Sequence, residues 1–577
     1  MKVFAPHMVD CYKLGHADMY TEGTDFLYSN LTPRSNKYFK AMAAKDYDGK
    51  MVVFGTQGSI MEIVEDWNDS FFSKPKADVI RRYRRRLNGL LGEGTVSTAR
   101  MEALHDIGYL PLEIRAIDEG ARIGMKVPML TIKNTLPEFF WLVNYLETAL
   151  SNQIWQMTTN ATIAYEYKRI LVAAALRTGS AVEGVLFQGH DFSMRGMPGY
   201  VAASRSGSGH LASFGGTDTV GAVDYVEDYY GFGLDLDAYF IAGSIPATEH
   251  AVSSSNILTR LARMTQNGLV GDTRLLAEAE FMLDYITRQN PTGFCSYVAD
   301  TYDYWAVLTD ILAMEKIKKA IMAREGRLVI RPDSGDPETI ICGMKPVAGS
   351  DGKAIDFESE EAAYDWLEDA HNYGESVGCD CIKIGGVFYE FETHEDVAAG
   401  VETFGIDMDV QFPYHVVAGS IRTLYKIFGG TVNAAGFKEL DSHIGLIYGD
   451  SITLARAASI TARLEAMGYA SLNVVFGIGS YTYQCNTRDT FGTAMKATGT
   501  GVEGDFFEIY KDPATGDKLK QSARGLLYVY KNEAGDYILI DRVDADQEKE
   551  GELKVRFKDG KFYNVTNIAE VRARLAA

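Results

Sequence analysis

Apolar positions recur at helical spacing over 139–150 and again over 162–177, and the string Thr135-Leu136-Pro137-Glu138 places a threonine, a proline and a glutamate where a helix opens. The spacing predicts two helices. Beyond 180 the rhythm changes. Short apolar or β-branched runs at 182–187, 239–245, 294–298, 327–330, 444–448 and 472–476 each end in a cluster of polar residues and glycines. Stretches of helical character, such as 256–264 and 453–467, separate most of them. Strands alternating with helices imply a parallel sheet. The residues with chemical potential all stand at the C-terminal ends of these runs, where an α/β barrel collects its active site. An open doubly wound sheet would put a ligand at the same edge, so both architectures fit at this level.

The region 343–441 interrupts the rhythm with an acidic, helix-like piece at 359–370 and glycine-rich passages around Gly385 and Gly429, and reads as an insertion. From about 505 the pattern becomes alternating strands and turns, at 525–530, 537–543 and 553–557. Three segments follow: 1–180, an N-terminal α+β segment pairing with the C-terminal part; 181–504, the barrel with its insertion; and 505–577, a β-rich tail. No repeat of fixed period is present.

Composition narrows the classes. With 577 residues, 46% hydrophobic and 23% charged, the chain has material for a large core and more than one domain. Six scattered cysteines are too few for a disulfide framework, and Cys379 and Cys381 have no second pair at zinc-finger spacing, so a reducing compartment is expected. The N-terminal string lacks a signal-peptide core and no apolar run nears the ~20 residues of a membrane span, which points to the cytoplasm and away from membranes. A net charge of -21 repels polyanions and argues against nucleic acid as a partner. Any phosphate site must be built locally.

Several strand-end strings carry the means to build one. Arg331-Pro332-Asp333-Ser334-Gly335 sets a guanidinium fork, a carboxylate and a hydroxyl on one turn, suited to phosphate, ribose hydroxyls or Mg²⁺-bound water, although a plain polar β-turn reads the same way. Gly477-Ile478-Gly479-Ser480 lets backbone N–H groups approach a phosphate, and Arg488 and Lys496, eight residues apart on what reads as a helix, add cations. Asp300, Asp303 and Asp450 put carboxylates at further strand ends, where helix N-capping is the alternative. His250 follows Glu249 at another; it is either a structural histidine or a nucleophile toward phosphorus. Phe192 and Arg195, with Asp218 downstream, would let a flat heteroaromatic ring stack while a carboxylate accepts from its amide; a core phenylalanine and a helix cap is the competing reading.

Taken together, these strings resemble the nicotinamide phosphoribosyltransferases, members of the type II phosphoribosyltransferase group. The resemblance runs in order through Asp10-Cys11-Tyr12-Lys13 with His16, then 134–148, 190–196, 216–220, 247–250, 296–303, 331–335, Gly449-Asp450, 476–480, Thr487-Arg488-Asp489 and Lys511-Asp512-Pro513. It implies an irregular α/β barrel of the type II phosphoribosyltransferase kind, with a further β-rich domain from the two chain ends, and a homodimer with shared active sites. Nicotinamide would lie between Phe192 and the partner subunit's Tyr12, with Asp218 accepting from the carboxamide and Ser296 assisting. Arg195 and Arg331 would line the ring and ribose, Asp300 and Asp333 would stand near the ribose and Mg²⁺, and Asp450 would meet ribose hydroxyls. Gly479, Ser480 and Arg488 would hold the 5'-phosphate; Arg34, Lys496 and Lys511 would face the pyrophosphate or ATP. His250 would be phosphorylated by ATP.

The implied reaction joins nicotinamide to 5-phosphoribosyl 1-pyrophosphate. A carboxylate at 218 favours the amide through a charge-assisted bond of about 1.5–3 kcal/mol and repels the acid. A nicotinate phosphoribosyltransferase and a non-catalytic nucleotide-binding protein on the same fold are the alternatives. Two features depart from the family pattern: the short Gly-Ile-Gly-Ser string and the insertion.

Overall fold

The computed structural model describes residues 3–269, 273–349, 353–372, 379–396, 401–449, 451–510 and 522–576. The chain divides into two compact units, one formed by Met1–Arg169, Asp191–Gly243 and Ser480–Ala577, the other by Ile170–His190 and Ser244–Gly479. These divisions fall elsewhere than at 180 and 504, because the chain passes between the units four times.

The first unit is built on an antiparallel sheet of seven strands. In order these are Asp505–Glu508, Ala494–Val502, Thr24–Thr32, Leu130–Asn134, Leu112–Ala116, Lys554–Lys558 and Lys561–Phe562, so strands from both chain ends interleave. The 525–530 and 537–543 runs form a separate hairpin of Leu526–Lys531 and Tyr537–Val543. A buried cluster of Val52, Phe54, Met157, Leu211, Tyr230, Ile241 and Val571 closes part of the core.

The second unit carries the parallel sheet. Its strands lie in the order Gly189–Asp191, Val474–Ile478, Ile444–Tyr448, Leu328–Arg331 and Cys295–Val298, the unit boundary falling within the first. Registers Val298↔Arg331, Leu446↔Ile330 and Tyr448↔Phe476 bring the C-terminal ends of four strands to one edge. Ile330, Leu446, Phe476 and Tyr297 are buried, as strands covered on both faces require. The fold is of the α/β class expected, an irregular partial barrel accompanied by β-rich regions.

Several local expectations are corrected. The two helices expected around 139–177 are one, Trp141–Arg177. The polar residues that break its apolar rhythm are buried and bonded: Thr158 Oγ1 donates to Val52 O (2.5 Å), Asn160 Nδ2 to Ser206 Oγ (2.7 Å), and Thr162 Oγ1 accepts from Val52 N (2.9 Å). Thr135 does not cap it; its hydroxyl donates to Asp559 instead. Residues 182–187 form a 3-10 turn, and the strand follows at Gly189–Asp191. The 239–245 run makes no strand. Gly243 and, just past the run, Ala247 each make a single parallel bridge, Gly216↔Gly243 in one unit and Ala247↔Ser296 in the other, since Pro246 has no N–H to extend a ladder. Arg488 lies on a 3-10 turn and Lys496 on a strand, not on a shared helix.

The insertion folds on itself. Strands Asp356–Phe357, Cys381–Ile384, Val387–Asp396 and Val401–Phe412 form a sheet, and helix Glu360–Asn372 packs on it through Ala363 and Leu367 against Val347, Phe357, Ile382 and Phe391. No helix among the described residues is long and apolar enough to cross a membrane.

Candidate active site

The parallel sheet gathers one set of expected residues within the second unit. Thr248 anchors the start of helix His250–Gln266 to the neighbouring strand: its N–H donates to Ser296 O (3.0 Å) and its Oγ1 accepts from Val298 N (2.8 Å). His250 is thereby held beside two strand ends. Its Nε2 stands 3.8 Å from Asp300 Oδ1 and 3.9 Å from Asp333 Oδ2, and its Nδ1 lies 3.2 Å from Thr301 Oγ1.

Asp300 is not a helix cap. Its Oδ2 accepts from Asp333 N (3.0 Å) and Ser334 Oγ (2.6 Å), which locks the Arg331–Gly335 turn against the next strand end. Asp303 is the cap, accepting from Ala306 N (3.0 Å). The imidazole of His250 is half exposed, whereas Asp300 is buried. Buried and without a hydrogen-bond partner among the described residues are Asp300 Oδ1, Arg331 Nε and Ser296 Oγ. Buried polar atoms left open at a strand edge are what a site awaiting a polar ligand presents. A Cβ at Gly449 would come within 2.3 Å of Asp333 Oδ1, so only glycine lets that carboxylate lie against the neighbouring strand end. At Gly479 a Cβ would meet nothing within 4 Å; the backbone there is open to approach.

The first unit gathers a second set. Phe192 is half-buried and follows the strand Gly189–Asp191; Arg195 lies exposed on the turn Met194–Gly196; and Asp218 is exposed just past Gly216–Thr217. The Asp218 N–H donates to Asp191 O (2.9 Å), tying the two loops together. A Cβ at Gly196 would fall 2.0 Å from Ser480 Oγ, so Ser480 stands directly against the Arg195 turn. Beneath them the buried His210 bridges Tyr483 Oη (2.7 Å) and Gly216 O (3.0 Å). Sequence reasoning missed His210 and Tyr483; the only signal was a histidine closing the small-residue run 206–210.

Tyr12, Arg34, Arg488 and Lys496 line one cavity of about 350 Å³ in this unit, together with Asp10 and Glu147. The acidic wall is partly neutralised, since Lys13 Nζ pairs with Glu147 at 2.5 Å. Arg34 is aimed by its Nε, which donates to Gly492 O (2.7 Å). An adjoining cavity of about 300 Å³ shares Arg34 and Lys496 and adds Asn30, Thr32 and Lys126. Arg34, Lys126, Arg488 and Lys496, four cations along two linked cavities, suit a polyphosphate. Asp450 and Lys511 lie outside the described residues. Among the described residues no group of three His, Cys, Asp or Glu side chains is disposed to hold a metal ion.

Residues 187–561 match the model of the Nicotinate phosphoribosyltransferase (NAPRTase) family. The chain is 42% identical over 575 residues to the nicotinamide phosphoribosyltransferase of Acinetobacter baylyi, covering 98% of this chain and 96% of that protein. It is 29% identical over 532 residues to the nicotinamide phosphoribosyltransferase of Mycoplasma pneumoniae, covering 89% and 93%. Among solved structures it is similar to human nicotinic acid phosphoribosyltransferase, at 14% identity and a TM-score of 0.46 over 98% of this chain and 92% of that one.

Proposed function

This chain belongs to the nicotinate phosphoribosyltransferase (NAPRTase) family and is a phosphoribosyltransferase, and from that premise we propose that it condenses nicotinamide with 5-phosphoribosyl 1-pyrophosphate to nicotinamide mononucleotide and pyrophosphate, with ATP phosphorylating His250 as an accessory step. The observation that carries the reading is the strand-edge cluster of His250, Asp300, Asp333 and Arg331, with buried polar atoms left open to a ligand. The extended similarity to enzymes named for nicotinamide supports the choice of base. Asp218 supports it chemically, since a carboxylate accepts from an amide and repels a carboxylate.

The pyridine nitrogen is itself the nucleophile, so no general base is needed. It bonds to C1 of the ribose as the C1–O bond to pyrophosphate breaks, and catalysis is positioning plus charge stabilisation. Phe192 and Tyr12 of the partner subunit would hold the ring flat in a homodimer, with Arg195 at its rim and Ser296 assisting. Asp300 and Asp333 would stabilise the positive charge that develops on the ribose, Asp450 would bind its hydroxyls, and Arg331 would line it. Gly479, Ser480 and Arg488 would hold the 5'-phosphate, and Arg34, Lys496 and Lys511 would receive the departing pyrophosphate or ATP. Magnesium fits this donor set: Asp300, with one oxygen lacking a hydrogen bond, and Asp333 would hold it, and it would neutralise charge on the diphosphate. The half-exposed imidazole of His250 is accessible to a phosphoryl donor. The cytoplasm is the compartment proposed.

One assay tests this. The protein is incubated with labelled nicotinamide, phosphoribosyl pyrophosphate and Mg²⁺, with and without ATP, and with nicotinate as competitor. Labelled nicotinamide mononucleotide should form and ATP should raise its yield; His250→Ala should abolish the ATP effect while losing less of the basal rate. Preferential use of nicotinate overturns the base assignment, and equal loss of both rates in His250→Ala overturns the role of that residue.

A further inference from the structure

We propose that Asp191, a residue given no catalytic or binding role above, positions the base-reading loops and sets selectivity against nicotinate. The proposal rests on the nicotinamide reading and deepens it. Phe192 and Asp218 both lie on loops just past short strands, and loop side chains are accurate only when something clips the loops. Asp191 is that clip. Its carboxylate is fully buried; Oδ1 accepts from Ser193 N (2.9 Å), which makes Phe192 the central residue of a closed turn. Oδ2 accepts from Thr217 Oγ1 (3.4 Å), and the main-chain carbonyl accepts from Asp218 N (2.9 Å). One residue thus bonds to the neighbours of both base-facing side chains and to the backbone of one of them.

Two features separate this arrangement from an ordinary buried turn. All the bonds that Asp191 accepts come from neutral groups: no lysine, arginine or histidine pairs with it among the described residues, although a buried carboxylate ordinarily requires such a partner. The helix Tyr200–Leu211 also leaves room for it. A Cβ at Gly207 would stand 3.0 Å from Asp191 Oδ2 and 2.6 Å from Ala222 Cβ, so this helix carries an interior glycine, against propensity, where the carboxylate sits. A buried carboxylate without a counter-ion, in the residue directly preceding Phe192, penalises a second negative group brought beside that ring and is indifferent to a neutral amide.

The test compares Asp191→Asn, Asp191→Ala and Gly207→Ala in the full-length enzyme, reading kcat and KM separately for nicotinamide, nicotinate and phosphoribosyl pyrophosphate. Asparagine keeps the bond accepted from Ser193 N, can donate from its amide nitrogen to Thr217 Oγ1, and removes the charge. The nicotinamide-to-nicotinate ratio of kcat/KM should fall roughly tenfold in Asp191→Asn, by gain on nicotinate. KM for phosphoribosyl pyrophosphate should not move. Asp191→Ala and Gly207→Ala should each raise KM for nicotinamide several-fold more than they lower kcat, and Asp191→Asn should rescue that KM. An unchanged ratio in Asp191→Asn sinks the selectivity role, and parallel losses for all three substrates reduce Asp191 to a folding residue. Should Asp191→Ala not fold, Asp191→Asn and Gly207→Ala decide the matter. Failure of the underlying reading is distinct: the unmodified enzyme would then not use nicotinamide at all.

Discussion

Glu278 shows how a single carboxyl ties stability to pH. It is 2% exposed on the helix Arg274–Asp284, accepts from Tyr297 Oη at 3.2 Å, and is pushed up to about 7 by burial. Below its ordinary value of 4.5 the group is protonated in both folded and unfolded chains. Between 4.5 and about 7 only the folded chain holds the proton, so stability falls as pH rises through that window and stays reduced above it. The full effect is at most about 3 kcal/mol. His7 runs the other way: burial, then the push of Arg82, Arg86 and Arg85, lowers it to about 4, and stability is lost as pH falls from 6.5 toward that value. The informative measurement is therefore a comparison at each pH. In urea unfolding, Glu278→Gln should gain on the parent chain by a few kcal/mol more at pH 8 than at pH 5; a constant difference would place the Glu278 proton elsewhere.

Among the elements, the junction at which the insertion leaves the barrel is tightly packed. Helix Pro337–Cys342 ends at Gly343 (φ 87°), and helix Tyr414–Phe428 is broken at Gly419 (φ 75°). A Cβ on Gly343 would lie 2.1 Å from Val417 O, and one on Gly419 would lie 2.2 Å from Gly343 N. Both positions demand the left-handed region and a bare Cα, so two backbones meet where side chains cannot. Gly343→Ala and Gly419→Ala should each cost about 2–4 kcal/mol, read as a shift in the denaturant midpoint at unchanged slope. A cost below about 1 kcal/mol would mean that the junction relaxes.

At the scale of the whole molecule, the insertion has a core of its own and should open on its own. Leu367→Ala, at a fully buried position of that core, should cost about 2–4 kcal/mol locally. Hydrogen exchange should then quicken across the insertion strands while the amides of Ile444–Tyr448 and Val474–Ile478 keep their protection; uniform loss would show one cooperative body. The sequence by itself determined the chemical groups and their order: strand-end strings such as Arg331–Gly335 and Ala299-Asp300 are short and local, and their alternation with helical stretches specifies a parallel sheet. It also offered Asp303 as a helix cap, which accepts from Ala306 N three residues on, because capping involves only neighbours in the chain. Tertiary structure alone decided that Asp300 binds the 333–334 backbone and hydroxyl, that polar Thr158 and Asn160 continue one long helix, and that 239–245 remains irregular. Each of these depends on a partner dozens to hundreds of residues away. A polar side chain's role is set by which distant group satisfies it once water is excluded, and no local pattern carries that information.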